Sequence, residues 1–545
     1  MNFSNLNRKQ FVSKLSSQQF DLLVIGGGIT GCGIALDAAL RGMKVALVEK
    51  NDFASGTSSR STKLIHGGLR YLKQFEFKLV HDVGSERAIV HRNARHIVIP
   101  EKMLLPIVEN GSLGAFTTSI GLMVYDLLAG VKANERRVML DRHETHKAEP
   151  LLRFDHLLGG GLYFEYRTDD SRLVIEIAKS AFANGALLLN YAELKSFNYD
   201  NGQVTGAIVH DKISGNDFTI NATVTVNACG PWVDLLRKED NSLRGKRLQL
   251  TKGVHIVFPY EKLPLKQAAY FDVGDGRMIF AIPRNNITYV GTTDTVYNQN
   301  LDKPQCTADD ARYLVNAVNK MFSGVALKLE DIVSSWAGLR PLIFEEGKSA
   351  SELSRKDEII QSPSGLISIA GGKLTGYRLM AAKITDLVKK KLGKDYGACR
   401  TKNYRLSGGE FETEKEFFNY LEEMLELGRT GGIEYGAIRN WFYRYGRNTV
   451  RLIEDYKELK GAGLAHQDAL LEAELKYAVE NEMIYYPQDF LVRRTGRIFF
   501  DRQKAEKQIG FVSLALAKQL QPVNNNGNDF DMDVRQEFEA ATSFA

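Results

Sequence analysis

Residues 21–49 read DLLVIGGGITGCGIALDAALRGMKVALVE, and no other stretch narrows the possible folds as far. Residues 22–25 form a short apolar run of the kind that makes a buried parallel strand. Gly26, Gly28 and Gly31 follow at G-x-G-x-x-G spacing. Over 29–41 the apolar residues fall at helical spacing, and Gly42 provides the usual left-handed stop. Residues 45–48 then predict a second strand that ends at Glu49. Each part has a physical job. The first glycine permits a tight turn, the second lets a pyrophosphate approach the backbone, and the third lets helix and strand pack closely. The helix start supplies free N–H groups and partial positive charge for phosphates. Glu49 is placed to accept hydrogen bonds from ribose hydroxyls. Glycine triplets alone are common in turns. Strand, glycines, helix, strand and acid in register predict a dinucleotide-binding unit.

A chain of 545 residues has room for about two to four domains and a large core. Its apolar share of 44% and charged share of 25% are those of an ordinary globular protein. The formal charge of +5 is small for this length and gives no reason to expect nucleic acid. It suits an anionic substrate or an anionic membrane surface equally. Cys32, Cys229, Cys306 and Cys399 are scattered with no CxxC pair, which argues against zinc or a disulfide framework and for a reducing cytosol. Cys32 falls inside the dinucleotide helix, a packing position. The opening MNFSNLNRKQFVSKL lacks a signal-peptide apolar core, and no uninterrupted apolar run reaches transmembrane length.

Residues 1–19 read as a short amphipathic lead-in with Phe3, Leu6, Phe11 and Leu15 on one side. Residues 51–72, NDFASGTSSRSTKLIHGGLRYL, are dense in Ser, Thr and Gly and carry Arg60, Lys63, His66 and Arg70. This loop leaves the strand whose end holds the ribose, so its donors are placed for a phosphate or ring system. A strand is expected at 103–107, apolar stripes over 119–137, and a helix over 171–184 ended by Gly185. Further strands are predicted at 186–189, 204–210, 223–227 and 250–259. Residues 278–283 and 288–291 pair naturally across Arg284-Asn285-Asn286 as a hairpin. A glycine-led turn is expected at 338–341. A second strand–glycine–helix unit, with a strand over 366–370, glycines from Gly371 and a helix to about Leu392, would close a cofactor site from the other side. Beyond residue 402, charged and aromatic residues at helical spacing predict a separate all-helical domain, with segments at 412–427, 435–445, 449–459, 466–484 and 510–520.

The runs GGGITGCGIALDAALRGMKVALVEK, GTSSRSTKLIHGGLRYL, CGPW, KGVHIVFP, GTTDT, AGLRPL and IAGGKLTGYR together resemble the flavin-dependent glycerol-3-phosphate dehydrogenases. The likeness runs from about Asp21 to Leu392, and VRRTGRIFFD at 492–501 resembles the helical C-terminal domain of that family. The resemblance implies an α/β fold of the D-amino-acid oxidase class: a Rossmann-like FAD-binding domain, an antiparallel-sheet substrate domain and an all-helical C-terminal domain. The expected division is 20–100, 165–240 and 330–395 for FAD, 101–164 and 241–329 for substrate, and 402–545 for the helical domain. The implied reaction is FAD-dependent oxidation of sn-glycerol 3-phosphate to dihydroxyacetone phosphate, with electrons passed to a membrane quinone. The implied location is the inner face of the cell membrane, held peripherally at the lipid surface, with 119–137 one candidate contact. A homodimer stays open.

Carried residue by residue, the resemblance gives Gly26, Gly28, Gly31 and Glu49 to the adenosine diphosphate half of FAD. Thr57, Ser58, Lys63, Leu64 and His66 fall on its pyrophosphate and flavin side, and Gly372, Lys373, Leu374 and Thr375 face the isoalloxazine. Arg70, Tyr71, His255, Arg340, Arg355 and Lys373 line the implied substrate pocket. The chemistry of the residues points the same way. Oxidising a secondary alcohol needs a base for the hydroxyl proton, and His255 is the candidate because neutral imidazole works near pH 7. Arg340 could polarise the same oxygen, since it stays charged and keeps a fixed donor geometry. Lys373 and the helix it opens offer positive charge to the reduced flavin. Arg70 and Arg355, with Lys373, suit the phosphate. Two rivals share the pattern: a glycerophosphate oxidase that reduces oxygen, and an amine or amino-acid oxidase on the same fold. The second typically wants one carboxylate-binding arginine rather than several converging cations.

Overall fold

The leading unit forms where its spacing predicts: strand Gln19–Ile25, helix Ile29–Leu40 and strand Val45–Val48. The computed structural model describes residues 1–66, 77–109, 111, 136–344, 357–521 and 530–544. The two strands run parallel, with Leu22 beside Val45 and Ile25 beside Val48. Both are apolar without alternation because both faces of this sheet are covered. Helix Ile29–Leu40 packs against helices Asp170–Ala183 and Tyr377–Leu392.

The first sheet orders its strands Glu358–Gln361, Ile367–Ala370, Asn216–Asn227, Gln19–Ile25, Val45–Val48 and Leu187–Leu189. Ala192–Asp200 and Gln203–Asp211 extend it as an antiparallel flap on Asn216–Asn227. The second sheet is mostly antiparallel and centres on Leu248–Pro259, which pairs with Ile287–Gly291 on one side and Ser334–Ile343 on the other. The predicted hairpin forms between Met278–Arg284 and Ile287–Gly291, with Asn285 in the left-handed conformation such turns require. This is an α/β fold of a Rossmann-like unit joined to an antiparallel sheet.

Three departures from the sequence reading have clear causes. Residues 338–341 are not a turn but the middle of strand Ser334–Ile343. Gly338 sits opposite Gly253, and a Cβ there would come within 2.6 Å of the Arg60 carbonyl oxygen, so the glycine serves close approach. That strand therefore belongs to the second sheet, although the expected division placed 330–395 with the cofactor domain. Strand Leu157–Arg167 has no counterpart among the strands expected from the sequence, and it carries a GGG run at 159–161. Gly159 and Gly160 are pressed against the Leu140 carbonyl and the Thr145 side chain, where no larger residue fits. In the lead-in, Phe3, Phe11 and Leu15 join the core as expected, whereas Leu6 is 40% exposed.

After residue 402 the chain is helical. Glu414–Thr430, Tyr435–Tyr445, Thr449–Gly461 and His466–Asn481 enclose an aromatic core of their own around Phe411, Phe417, Trp441 and Phe442. Asp489–Arg494 is wound as a wide π-type turn, and Arg502–Gln519 and Phe530–Thr542 follow. Among the described residues no helix is long and apolar enough to cross a membrane. Most of the 119–137 candidate segment, residues 119–135, lies outside the described residues.

His96 is fully buried, and neither ring nitrogen has a hydrogen-bond partner among the described residues. Burial, then Arg172 and Lys179, push it well below the ordinary histidine value. Between that lowered value and about pH 6.5 the unfolded chain binds a proton that the folded chain refuses. Stability from this source is present at pH 7 and is lost as pH falls below about 6.5. The expected slope is up to about 1.4 kcal/mol per pH unit. Denaturation midpoints of His96→Asn should depend correspondingly less on pH between 6.5 and 5; an unchanged dependence would contradict the assignment.

Candidate functional site

A cavity of about 360 Å³ opens between the two sheets, a volume typical of cofactor and ligand sites. The carboxyl ends of the first sheet wall one side, through Ile25, Val48, Ala228 and Ile369. Ligands of open parallel sheets bind at such ends. Gly253, His255 and Arg340 of the second sheet wall the other side.

The glycine turn shows its three jobs in distances. Gly26 has φ +113°, its N–H donates to the Val48 carbonyl at 2.9 Å, and a Cβ would fall 2.6 Å from the Ala228 oxygen. A Cβ on Gly31 would lie 1.8 Å from the Gly26 oxygen, so this glycine sets helix-to-strand packing and does not face the cavity. Gly28 does face it, as the N-cap of helix Ile29–Leu40 with no side-chain cap. Its missing side chain leaves a cradle in which a Cβ would meet only Ser58 Oγ, at 3.1 Å. Ser58 Oγ accepts from the Ile29 N–H at 3.0 Å. Thr57 Oγ donates to the Leu339 carbonyl at 2.6 Å, which ties this loop to the second sheet.

Glu49 lines the cavity and accepts from the Gly27 and Asn51 N–H groups at 2.7 and 2.9 Å. Burial pushes its carboxyl above the ordinary value despite these bonds. Leu64 and His66 also line the cavity, whereas Lys63 does not. Lys63 is buried, with its ammonium on Asp170 at 2.6 Å and on the Ser59 carbonyl at 3.0 Å. Gly372, Lys373, Leu374 and Thr375 line the far wall, and Thr375 Oγ donates to the His66 carbonyl at 3.2 Å. Gly372 needs its φ of +83°, and a Cβ there would strike Met380 Sδ at 2.1 Å.

His255 and Arg340 stand on paired strands of the second sheet, in register through Gly253–Gly338. The His255 ring stacks on Trp336 at 4.9 Å and 13°, and its Nε2 is 3.0 Å from Thr62 Oγ. Its Nδ1 is buried with no hydrogen-bond partner among the described residues. Burial, then Arg340 and Lys63, push the imidazole well below the ordinary histidine value. Arg340 Nη1 donates to the Thr293 carbonyl at 3.1 Å and to Asp294 Oδ1 at 3.0 Å; Nη2 donates to Thr292 Oγ at 2.9 Å. A Cβ on Gly253 would lie 2.3 Å from Arg340 Nη2, so that glycine makes room for the guanidinium. Arg70, Tyr71 and Arg355 lie outside the described residues.

Sequence reasoning did not single out two of the wall residues, Trp232 and Thr62, and named Arg60 only as one of the cations of its loop. Trp232, from the CGPW run, lies against Gly56 and carries the Lys50 ammonium 4.4 Å from a ring centroid. Thr62 meets His255, and Arg60 reaches Glu537 of the Phe530–Thr542 helix at 3.1 Å. A tryptophan after a strand-to-glycine exit was the one visible signal. The cradle at Gly28, the open helix start and the buried Glu49 carboxylate together fit the pyrophosphate and ribose of FAD.

The FAD dependent oxidoreductase family matches residues 21–382, and the C-terminal domain of alpha-glycerophosphate oxidase matches 399–523. The aerobic glycerol-3-phosphate dehydrogenase of Bacillus subtilis (strain 168) is 52% identical over 504 residues, 92% of this chain and 91% of that protein. That of Staphylococcus haemolyticus (strain JCSC1435) is 48% identical over 99% of this chain and 98% of its own length. The crystal structure of the glycerol-3-phosphate dehydrogenase from Bacillus halodurans complexed with FAD covers 99% of both chains with a TM-score of 0.86 and 43% identity. With its glycine turn, its two-sheet cavity and these relatives, the chain belongs to the family of FAD-dependent aerobic glycerol-3-phosphate dehydrogenases.

Proposed function

We propose that this protein oxidises sn-glycerol 3-phosphate to dihydroxyacetone phosphate and passes the electrons to a membrane quinone. The observation that carries the reading is the pairing of His255 and Arg340 on adjacent strands, across the cavity from the dinucleotide turn. Bound FAD supplies the two-electron acceptor for the carbon-bound hydrogen. The chain supplies the rest. His255 is neutral at pH 7 because burial and two neighbouring cations disfavour its charged form, which is the state a base requires. Its Nε2, now on the Thr62 hydroxyl, takes the proton of the substrate alcohol. Arg340 cannot lose its charge and is held in place by Asp294 and Thr292, so it polarises the same oxygen.

Affinity must come mainly from the phosphate, which carries nearly two negative charges. We assign it to Arg70 and Arg355 with Lys373, because arginine makes bidentate, permanently charged contacts. Replacing Arg70 with alanine should raise KM for glycerol 3-phosphate by the roughly 1.5–3 kcal/mol of a charged contact. An unchanged KM, or equal use of unphosphorylated glycerol, would refute the phosphate assignment. The domain division proposed from the sequence gives FAD mainly the first sheet and substrate mainly the second, with strand Ser334–Ile343 the main exception.

The acceptor is tested by reducing the purified protein with glycerol 3-phosphate without oxygen, then mixing with oxygen or a quinone. Fast reoxidation by quinone and slow reoxidation by oxygen supports the dehydrogenase; the reverse order supports the glycerophosphate oxidase reading. Peripheral attachment through amphipathic surface and basic residues predicts flotation with anionic liposomes at low salt. A protein that stays with the soluble fraction in every lipid mixture contradicts it.

A further inference from the structure

Asp52 follows Glu49 by one short turn and has no exposed surface. Its Oδ2 accepts from Arg493 Nε at 2.6 Å and from Arg494 Nη1 at 2.7 Å. Its Oδ1 accepts from Arg494 Nη2 at 2.9 Å and from Asn190 Nδ2 at 3.1 Å. Arg494 thus grips the carboxylate with both prongs while being itself fully buried. It also donates to the Glu482 carbonyl at 2.7 Å. Although burial opposes ionisation, Arg494 and Arg493 hold the Asp52 carboxyl below its ordinary value. Both arginines belong to the Asp489–Arg494 turn, within the helical region that begins after residue 402.

The turn that Asp52 anchors grips the residue between Gly26 and Gly28. The Ala54 N–H donates to the Gly27 carbonyl at 3.1 Å, and the Phe53 ring packs where a Gly27 Cβ would come within 2.7 Å. On the other side Glu49 Oε2 accepts from the Gly27 N–H. Ala54 holds φ +64°, a left-handed conformation that side chains disfavour. Such a conformation persists only where the surroundings enforce it. Here the Ser55 N–H on the Asp52 carbonyl and the Asp52 carboxylate in its arginine clamp enforce it.

We propose that Arg493 and Arg494 are positioning residues for the cofactor: through Asp52 they set the shape of the Asn51–Ser55 turn and hence the affinity of the glycine turn for FAD. The C-terminal segment thereby acts on a site it does not line. This rests on FAD as the ligand of that turn, which titration of the unaltered apoprotein checks separately.

The test is flavin-fluorescence titration of intact, FAD-depleted protein. Arg494→Lys keeps the charge and loses the two-pronged grip; Asp52→Asn loses the charge and keeps the shape. Each should raise the dissociation constant for FAD about 5- to 30-fold, the factor set by holding Ala54 left-handed without its anchor. Adding Ala54→Gly to Arg494→Lys should recover much of the loss, because glycine adopts that conformation freely. Glu474→Gln, at a buried carboxylate paired with Arg444 and Arg497 inside the helical region, serves as the control for general destabilisation. It should lower the melting temperature while leaving FAD affinity within about twofold. Unchanged affinity in both Arg494→Lys and Asp52→Asn overturns the proposal. So does an equal loss in Glu474→Gln, or no recovery with Ala54→Gly.

Discussion

Replacing His255 with alanine should lower kcat by about 10²–10⁴, with a much smaller change in KM for glycerol 3-phosphate. The protein should remain yellow, because His255 belongs to the second sheet while the dinucleotide turn belongs to the first. The expectation follows from environment as much as from residue type. The imidazole is stacked on Trp336, tied to Thr62 by Nε2 and kept neutral by burial, Arg340 and Lys63. Truncation removes the proton acceptor and leaves the cations of the pocket in place, so binding should survive better than turnover. His255→Asn separates the two roles further, since it retains a polar partner for Thr62 without a useful base. Flavin reduction followed at its visible absorbance in a single turnover is the direct measurement. A variant that reduces its flavin at the unaltered rate, or that loses substrate affinity as steeply as rate, would remove His255 from the base role.

Gly31→Ala should cost both stability and the cofactor, and Gly28→Ala should fail in a different way. The added methyl at Gly31 would lie 1.8 Å from the Gly26 carbonyl oxygen and 3.0 Å from its carbon. Those atoms are backbone of the cofactor turn, so neither can step aside. Relief requires the helix Ile29–Leu40 to withdraw from its strand. Overpacking of this kind costs about 1–3 kcal/mol and occasionally more, and here the shift also displaces the N–H groups meant for phosphate. The expected result is a colourless protein with a lowered melting temperature. At Gly28 the methyl meets only Ser58 Oγ at 3.1 Å, so the chain should fold at nearly unaltered stability. What it loses is the cradle, and with it FAD. Melting curves recorded without and with added FAD distinguish the cases: Gly28→Ala should match the unaltered apoprotein and gain nothing from FAD. A yellow, stable Gly31→Ala protein would contradict the packing role.

The parts of this fold that were legible in the sequence are those whose physics is local. The βαβ unit could be read because its apolar period changes from strand to helix and back within 21–49, punctuated by glycines with distinct jobs. The helical segments after residue 402 were legible for the same reason, and Tyr435–Tyr445 forms over the predicted residues. Glycine was the weak letter of this code. Gly42 ends a helix, Gly338 lies flat in a strand and Gly159 lies against a neighbouring carbonyl, yet all three look alike in sequence.

By itself the sequence determined the dinucleotide turn, because spacing and residue type suffice for it; the class of fold and the family were legible through the resemblance that its motifs carry. Tertiary structure decided which charges work at the site. Lys63 looks like a phosphate ligand beside Ser and Thr, but the fold brings Asp170 to 2.6 Å and buries the pair. His255 becomes a stacked, neutral imidazole because strand pairing sets it against Trp336. Asp52 becomes the anchor of the cofactor turn because Arg494 reaches it from 442 residues away in the chain. No local period records such partners. A side chain's protonation and direction depend on which distant groups exclude water from it, and only the closed fold brings those groups together.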